Sequence, residues 1–104
     1  MLRPTVLEMR MMKIIEKHSL PYVYTGDGSF IIGGKNPDFV NINGKKVCIE
    51  IRNPNVTRYF TRISQDSYGK QRKEHFRKYG WECVVVSSDM KDDDISKKVK
   101  QVGK

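Results

Sequence analysis

Residues Asn36–Arg52, NPDFVNINGKKVCIEIR, decide the reading of this chain. Apolar residues on both sides of Asn43-Gly44 spell strand, turn, strand, because Asn-Gly between such runs is a strong hairpin signal. Asp38 and Glu50 stand inside those strands, where a sheet would ordinarily hold apolar side chains. Register decides whether they meet. A two-residue turn at Asn43-Gly44 pairs Ile42 with Lys45 and Asp38 with Ile49, which sends Glu50 to the opposite face. A three-residue loop, with a type I turn at Ile42-Asn43 and Gly44 in the left-handed bulge position, pairs Asn41 with Lys45. Asp38 then lies across from Cys48, Glu50 is its diagonal neighbour on the same face, and Arg52 lies further along. The apolar count favours this bulged register, since it gathers Phe39, Val47, Ile49 and Ile51 on the other face.

Two carboxylates held close together on a rigid hairpin are oxygen ligands for a hard divalent cation, Mg²⁺ or Mn²⁺. In a strongly basic chain, the use such a cation implies is phosphodiester chemistry. The chain carries a formal net charge of +8 over 104 residues. Residues 45–81 hold ten of the 20 Lys/Arg and only three of the 12 Asp/Glu, whereas residues 82–104 balance five against five. The excess therefore surrounds and follows the carboxylate hairpin, as the footprint of a polyanion such as nucleic acid would. The alternative is a solvated basic face that only aids solubility.

One domain is expected over 1–104. No run of 18 apolar residues exists, and MLRPTVLEMR at the start lacks the apolar stretch of a signal peptide, so no membrane span and a cytoplasmic location are expected. Cys48 and Cys83 read as two reduced, buried thiols. Together with His18 and His75 they make no zinc site, because no Cys-x-x-Cys or His-x-x-x-His pair is present. No small-molecule cofactor is implied.

Thr5 to about Lys17 reads as a helix, with Thr5 as N-cap and Glu8 completing a capping box. Leu7, Met11, Ile14 and Ile15 form its packing stripe, and Arg10, Lys13 and Lys17 its solvent side. Short strands follow at Pro21–Tyr24 and Ser29–Ile32, separated by a glycine turn and closed by Gly33-Gly34. Residues 37–42 and 46–52 are the third and fourth strands. Residues 53–65 have no clean period and interleave Arg58 and Arg62 with Tyr59 and Phe60, a candidate DNA-contacting loop. Asp66 or Ser67 caps a helix to about Tyr79, with Tyr68, Phe76 and Tyr79 on its apolar side and Gly80 as its stop. Trp81–Val86 is a near-continuous apolar strand of the kind buried on both faces. Asp92 to about Lys100 forms a short helix anchored only by Ile95 and Val99, and residues 91–104 read as a short helix and linker truncated from a longer chain. The order is α-β-β-β-β-α-β-α, an α/β (α+β) mixed sheet with helices on both faces.

A capped helix with an early Glu, a PDF strand, an IEIR strand, and a helix running through FRKYGW into a valine-rich strand resemble the PD-(D/E)xK nuclease superfamily. The chain is most similar to its Vsr-like branch, and especially to the catalytic domain of phage-type EDxHD homing endonucleases, over roughly residues 5–87. The resemblance implies a metal-dependent DNA endonuclease with a restriction-endonuclease-like core, working in a bacterial or phage-infected host. It assigns metal binding to Asp38, Glu50 and the Ile51 backbone carbonyl, and a catalytic place to Glu8. Arg52 takes the position of the motif lysine. It stays protonated, so it can stabilise phosphate charge and is a poor general base. The branch's histidine after the second motif is missing between Glu50 and Glu74, where Thr57 and Arg58 stand instead, which leaves His75 as the nearby imidazole. A lone helical histidine is commonly structural or solvated. Lys45, Lys46, Arg58, Arg62, Lys70, Arg72 and Lys73 would hold the backbone of double-stranded DNA around a monomeric domain. Two rivals stand beside this reading. One is a Holliday-junction resolvase, which would be a dimer. The other is a non-catalytic nucleic-acid-binding module that keeps the fold without the chemistry.

Overall fold

The computed structural model describes residues 4–52 and 65–102, with residues 65–68 described in their backbone. The expected DNA-contacting loop, with Arg58, Tyr59, Phe60 and Arg62, lies outside the described residues, as does the side chain of Tyr68. Among these residues three helices and four strands follow in order: α1 (Val6–Lys17), β1 (Tyr22–Tyr24), β2 (Phe39–Asn41), β3 (Val47–Arg52), α2 (Gln65–Lys78), β4 (Glu82–Ser87) and α3 (Asp92–Val102). The sheet order is β1-β2-β3-β4. The first two pairings are antiparallel and β3/β4 is parallel, so the sheet is mixed. A parallel pair needs a crossover, and α2 supplies it.

Alternation along the strands sorts side chains into two cores. Phe39, Val47, Ile49, Val84 and Val86 pack with Met11 and Ile14 of α1 and Ile95 and Val99 of α3. Val40, Cys48 and Cys83 point the other way, where they meet Phe76 of α2 and Ile32. The expected grouping of Phe39, Val47, Ile49 and Ile51 on one face is thus observed. So are the capping box of α1 and burial of both expected anchors of α3. No helix among the described residues is long and apolar enough to cross a membrane.

Five expectations need correction. The hairpin register is Phe39↔Ile49 and Val40↔Cys48, two residues beyond the bulged pairing. The Asn41 side chain causes it. Its Oδ1 accepts from the N–H of Asn43 (2.7 Å) and of Lys45 (3.2 Å), so the chain turns around Asn41 in a wider loop. Gly44 is left-handed, as expected, at φ 81°.

Ser29–Ile32 forms no strand. One bridge, Ile32↔Lys35, closes over Gly33 (φ 57°) and Gly34 (φ 85°), which reverse the chain at once. Ile32 is a core plug, while Phe30 lies exposed on the surface. Phe30 meets Trp81 edge to face at 5.5 Å and Ile32 is buried under α2. Among the described residues the order is therefore α-β-β-β-α-β-α.

Arg10 does not face solvent. Its guanidinium donates to Asp92 Oδ1 (2.8 Å) and to the carbonyls of Ser88 (3.0 Å) and Met90 (2.6 Å), tying α1 to the start of α3. A long stem that covers apolar surface and a planar five-donor fork suit that corner.

α2 begins at Gln65, so Asp66 and Ser67 lie within it and do not cap it. Tyr79 is half exposed rather than part of the packed side.

Candidate active site

The Pro37-Asp38 peptide is fixed from three directions. Thr25 N–H donates to the Asp38 carbonyl (2.8 Å), and Thr25 Oγ1 donates to the Pro37 carbonyl (2.8 Å). Asn36 Nδ2 donates to the carbonyls of Thr25 (2.6 Å) and Phe30 (2.7 Å). Extending the β2/β3 register by one residue sets Asp38 opposite Glu50, on the face beneath α2. The expectation of one shared face holds, and the two are direct rather than diagonal neighbours. Asp38 Oδ2 accepts from the Ile51 N–H at 2.7 Å. In an extended strand a residue's N–H and C=O leave by the same edge, so the Ile51 carbonyl opens on the Asp38 side.

Both carboxyls are pushed up. Asp38 rises to about 8, from burial first, then from the charges of Glu50 and Glu8. Glu50, 5% exposed, rises to about 7 because of burial, even though Arg72 pulls it down. Like charges at close range and low solvent access oppose joint ionisation.

Glu8 reaches the same cluster from α1. Its Oε1 caps the helix by accepting from Thr5 N–H (2.8 Å), and Tyr24 Oη donates to it at 3.4 Å. Its charge helps to push the Asp38 carboxyl up. The capping role of Glu8 is therefore present, and its carboxylate also acts on Asp38 through its charge. Gly26 is what lets it in, since a Cβ there would stand 2.8 Å from Glu8 Oε2.

Arg72 differs from expectation. Its side chain is turned inward rather than towards solvent. Its Nη2 donates to Glu50 Oε1 (2.5 Å) and to the Asn36 carbonyl (2.9 Å), and its guanidinium lies 5.1 Å over the Phe76 ring. The clue was in the sequence: Arg72 precedes buried Phe76 by four residues, so both share one helical face. Arg52 alternates with Glu50 onto the same sheet face, and its Nη1 would stand 3.7 Å from a Cβ on Gly69. His75 is not brought to the carboxylates. Its Nε2 meets the Ile32 carbonyl at 3.1 Å, and its ring sits against Phe76 and Tyr79. Lys70 and Lys73 are exposed on α2. Lys45 and Lys46 are exposed at the far end of β3, with Lys46 about 13 Å from Glu50 at ~3.3 Å per residue. Cys48 and Cys83, partners across β3/β4, are free thiols as expected, and the Cys83 thiol is pushed up by its hydrogen bond to Cys48 and by burial.

Among the described residues no group of three or more His, Cys, Asp or Glu is placed to hold a metal ion by side chains alone. The oxygens offered on this side of the hairpin are hard donors: the opposed Asp38 and Glu50 carboxylates and the Ile51 carbonyl, which leaves β3 by the edge facing β2. That set fits Mg²⁺ or Mn²⁺, which take one or two carboxylates and complete their shells with water and phosphate oxygens. It does not fit a soft metal.

No family model and no curated protein matches the chain. Among solved structures it is similar to the "Homing Endonuclease I-Bth0305I Catalytic Domain", at 23% identity and a TM-score of 0.55, over 96% of this chain and 92% of that one. A likeness of that size establishes a shared fold.

Proposed function

We propose that the chain is the catalytic domain of a DNA endonuclease of the homing type, dependent on Mg²⁺ or Mn²⁺, with the PD-(D/E)xK arrangement of the Vsr-like branch. One observation carries this reading: Asp38, half-buried, and Glu50, buried, are set directly across a hairpin from one another, beside two arginines. Burial of two like charges is costly unless a cation relieves it. Asp38, Glu50 and the Ile51 carbonyl would hold that cation, which would supply Lewis-acid polarisation of the scissile phosphate and a lowered water pKa. The similarity in fold to a homing endonuclease catalytic domain supports the substrate class.

The chain's own residues divide the rest. Asp38 is oriented by the Ile51 N–H and by the Thr25 contacts on its backbone. Arg72 positions the Glu50 carboxylate and holds the Asn36 turn against α2. Arg52 faces the site with a permanent charge that stabilises a phosphorane-like transition state. Glu8 adds negative charge beside Asp38, which strengthens the demand for a cation.

A second reading, a nucleic-acid-binding module without chemistry, is favoured by one feature. The Arg72 guanidinium already stands on Glu50 where a cation would act. Incubation of the chain with supercoiled plasmid in Mg²⁺, in Mn²⁺ and in EDTA separates the two. The nuclease reading expects nicked or linear product with metal and none in EDTA. Duplex binding without any product in either metal overturns it in favour of the module.

A further inference from the structure

A cleft of about 220 Å³ opens where α2, the outer edge of β4 and α3 meet the end of β3. It is lined by Arg52, Gly69, Lys70, Lys73, Val85 and Lys98, so its charged lining is entirely cationic. Lys98 comes from α3, in the part of the chain whose charges balance and which the sequence reads as helix and linker. Its Nζ donates to the Val85 carbonyl at 2.7 Å, which fixes the ammonium at the free edge of the sheet's last strand. Burial first, then the charges of Lys73 and Arg52, pull its pKa down. Three chain segments thus bring like charges together around a space with room for roughly seven waters, at ~30 Å³ each. Gly69 keeps it open, because a Cβ there would stand 3.2 Å from Val85 Cγ1. Like charges converging on a polar opening without a lining carboxylate fit an anion with several acceptor oxygens.

We propose that this cleft binds a second backbone phosphate of the DNA strand, next to the one addressed by Asp38 and Glu50, and that Lys98 is its anchor. Arg52 lies two residues along β3 from Glu50, about 7 Å at ~3.3 Å per residue, so both places lie along one strand of the duplex. The inference rests on the nuclease reading and extends it: α3 belongs to the DNA interface and does not merely lead out of the domain.

The test is fluorescence anisotropy of a labelled duplex in EDTA, titrated between 50 and 200 mM salt, for the parent, Lys98→Gln, Lys73→Gln, the double variant, Lys98→Arg and Lys100→Gln. Gln at position 98 can still donate to the Val85 carbonyl, so it removes charge while keeping the hydrogen bond. Lys73 is exposed on α2, so its replacement reports on the cleft even if position 98 proves intolerant. Each single Gln variant at 73 or 98 is expected to weaken binding several-fold at low salt and to lower the salt slope by ~0.9, the value for one phosphate. The double variant is expected to lower it by no more than that, because both lysines serve one phosphate. Lys98→Arg should match the parent, and Lys100→Gln should keep the parent's slope. Unchanged slopes for Lys98→Gln and Lys73→Gln overturn the cleft while leaving the nuclease reading intact. So does a double variant that loses twice as much, or a Lys100→Gln effect of equal size. A parent that does not bind duplex at all overturns both.

Discussion

Among the described residues, the face of the sheet beneath α1 and α3 buries eleven hydrophobic residues in one cluster, whereas the face beneath α2 buries five and places Asp38, Glu50 and Arg52 beside them, with Arg72 of α2 reaching Glu50 from above. Both faces come from the same strands, and the alternation of β3 separates them: Val47, Ile49 and Ile51 point one way, Cys48, Glu50 and Arg52 the other. One face carries dispersion and apolar burial. The other carries buried charge, which costs free energy unless each group is paired. The protein accepts that cost on a single face and pins it with Arg72, Thr25 and Asn36 from outside the hairpin.

Substitutions that separate the faces should have separable effects. Phe76→Ala should do the most damage, about 3–5 kcal/mol in urea unfolding. Phe76 is fully buried and also carries the Arg72 guanidinium, so cleavage per folded molecule should fall with it. Ile95→Ala, on the other face, should cost about 2–5 kcal/mol and leave cleavage per folded molecule unchanged. Equal loss of activity in the two variants would show that the faces are not independent. Arg52→Ala should reverse the pattern, losing roughly two to three powers of ten in single-turnover cleavage with little change in melting temperature. Arg52→Lys should retain activity.

A smaller effect is expected in pH dependence. Asp38 and Glu50 are raised to about 8 and about 7 from ordinary values of 3.8 and 4.5. The folded chain therefore binds more protons than the unfolded one across that window. Stability contributed by the protonated pair is complete below about pH 4 and lost as pH rises towards 7 to 8. Unfolding free energy of the metal-free chain should thus decline over that range, and Glu50→Gln should flatten the decline. A parent whose stability rises from pH 5 to 8 would show that the pair is not buried as described.

Much of this architecture was legible in the residues. Thr5 and Glu8 announce the start of α1, and the alternation in β2 and β3 announces which residues share a face. Asn43-Gly44 announces the hairpin. What escaped was set by contacts distant in sequence or by single side chains. The Asn41 amide moved the register by two residues, and no periodicity encodes that. Ser29–Ile32 has strand-forming residues but no partner strand, since Gly33 and Gly34 fold it back on itself. Arg72 meets Glu50 across 22 residues and Arg10 meets Asp92 across 82, and a charge map treats all such cations as solvated. The wrong register nevertheless gave the right face, because a shift of two preserves parity.

The central claim is that the Asp38–Glu50 pair is a cation-dependent catalytic centre. Plasmid cleavage by the parent and by Asp38→Asn, run side by side in Mg²⁺, Mn²⁺ and EDTA with melting curves in the same buffers, tests it most directly. The account expects cleavage by the parent in metal alone, and none by the variant. The parent's melting temperature should rise with metal by linkage, and the variant's much less, because only the parent binds the ion well in the folded state. In EDTA the variant should melt no lower than the parent, as one repelling charge is gone. A folded Asp38→Asn chain that cuts DNA as fast as the parent would contradict the account and move the chemistry elsewhere.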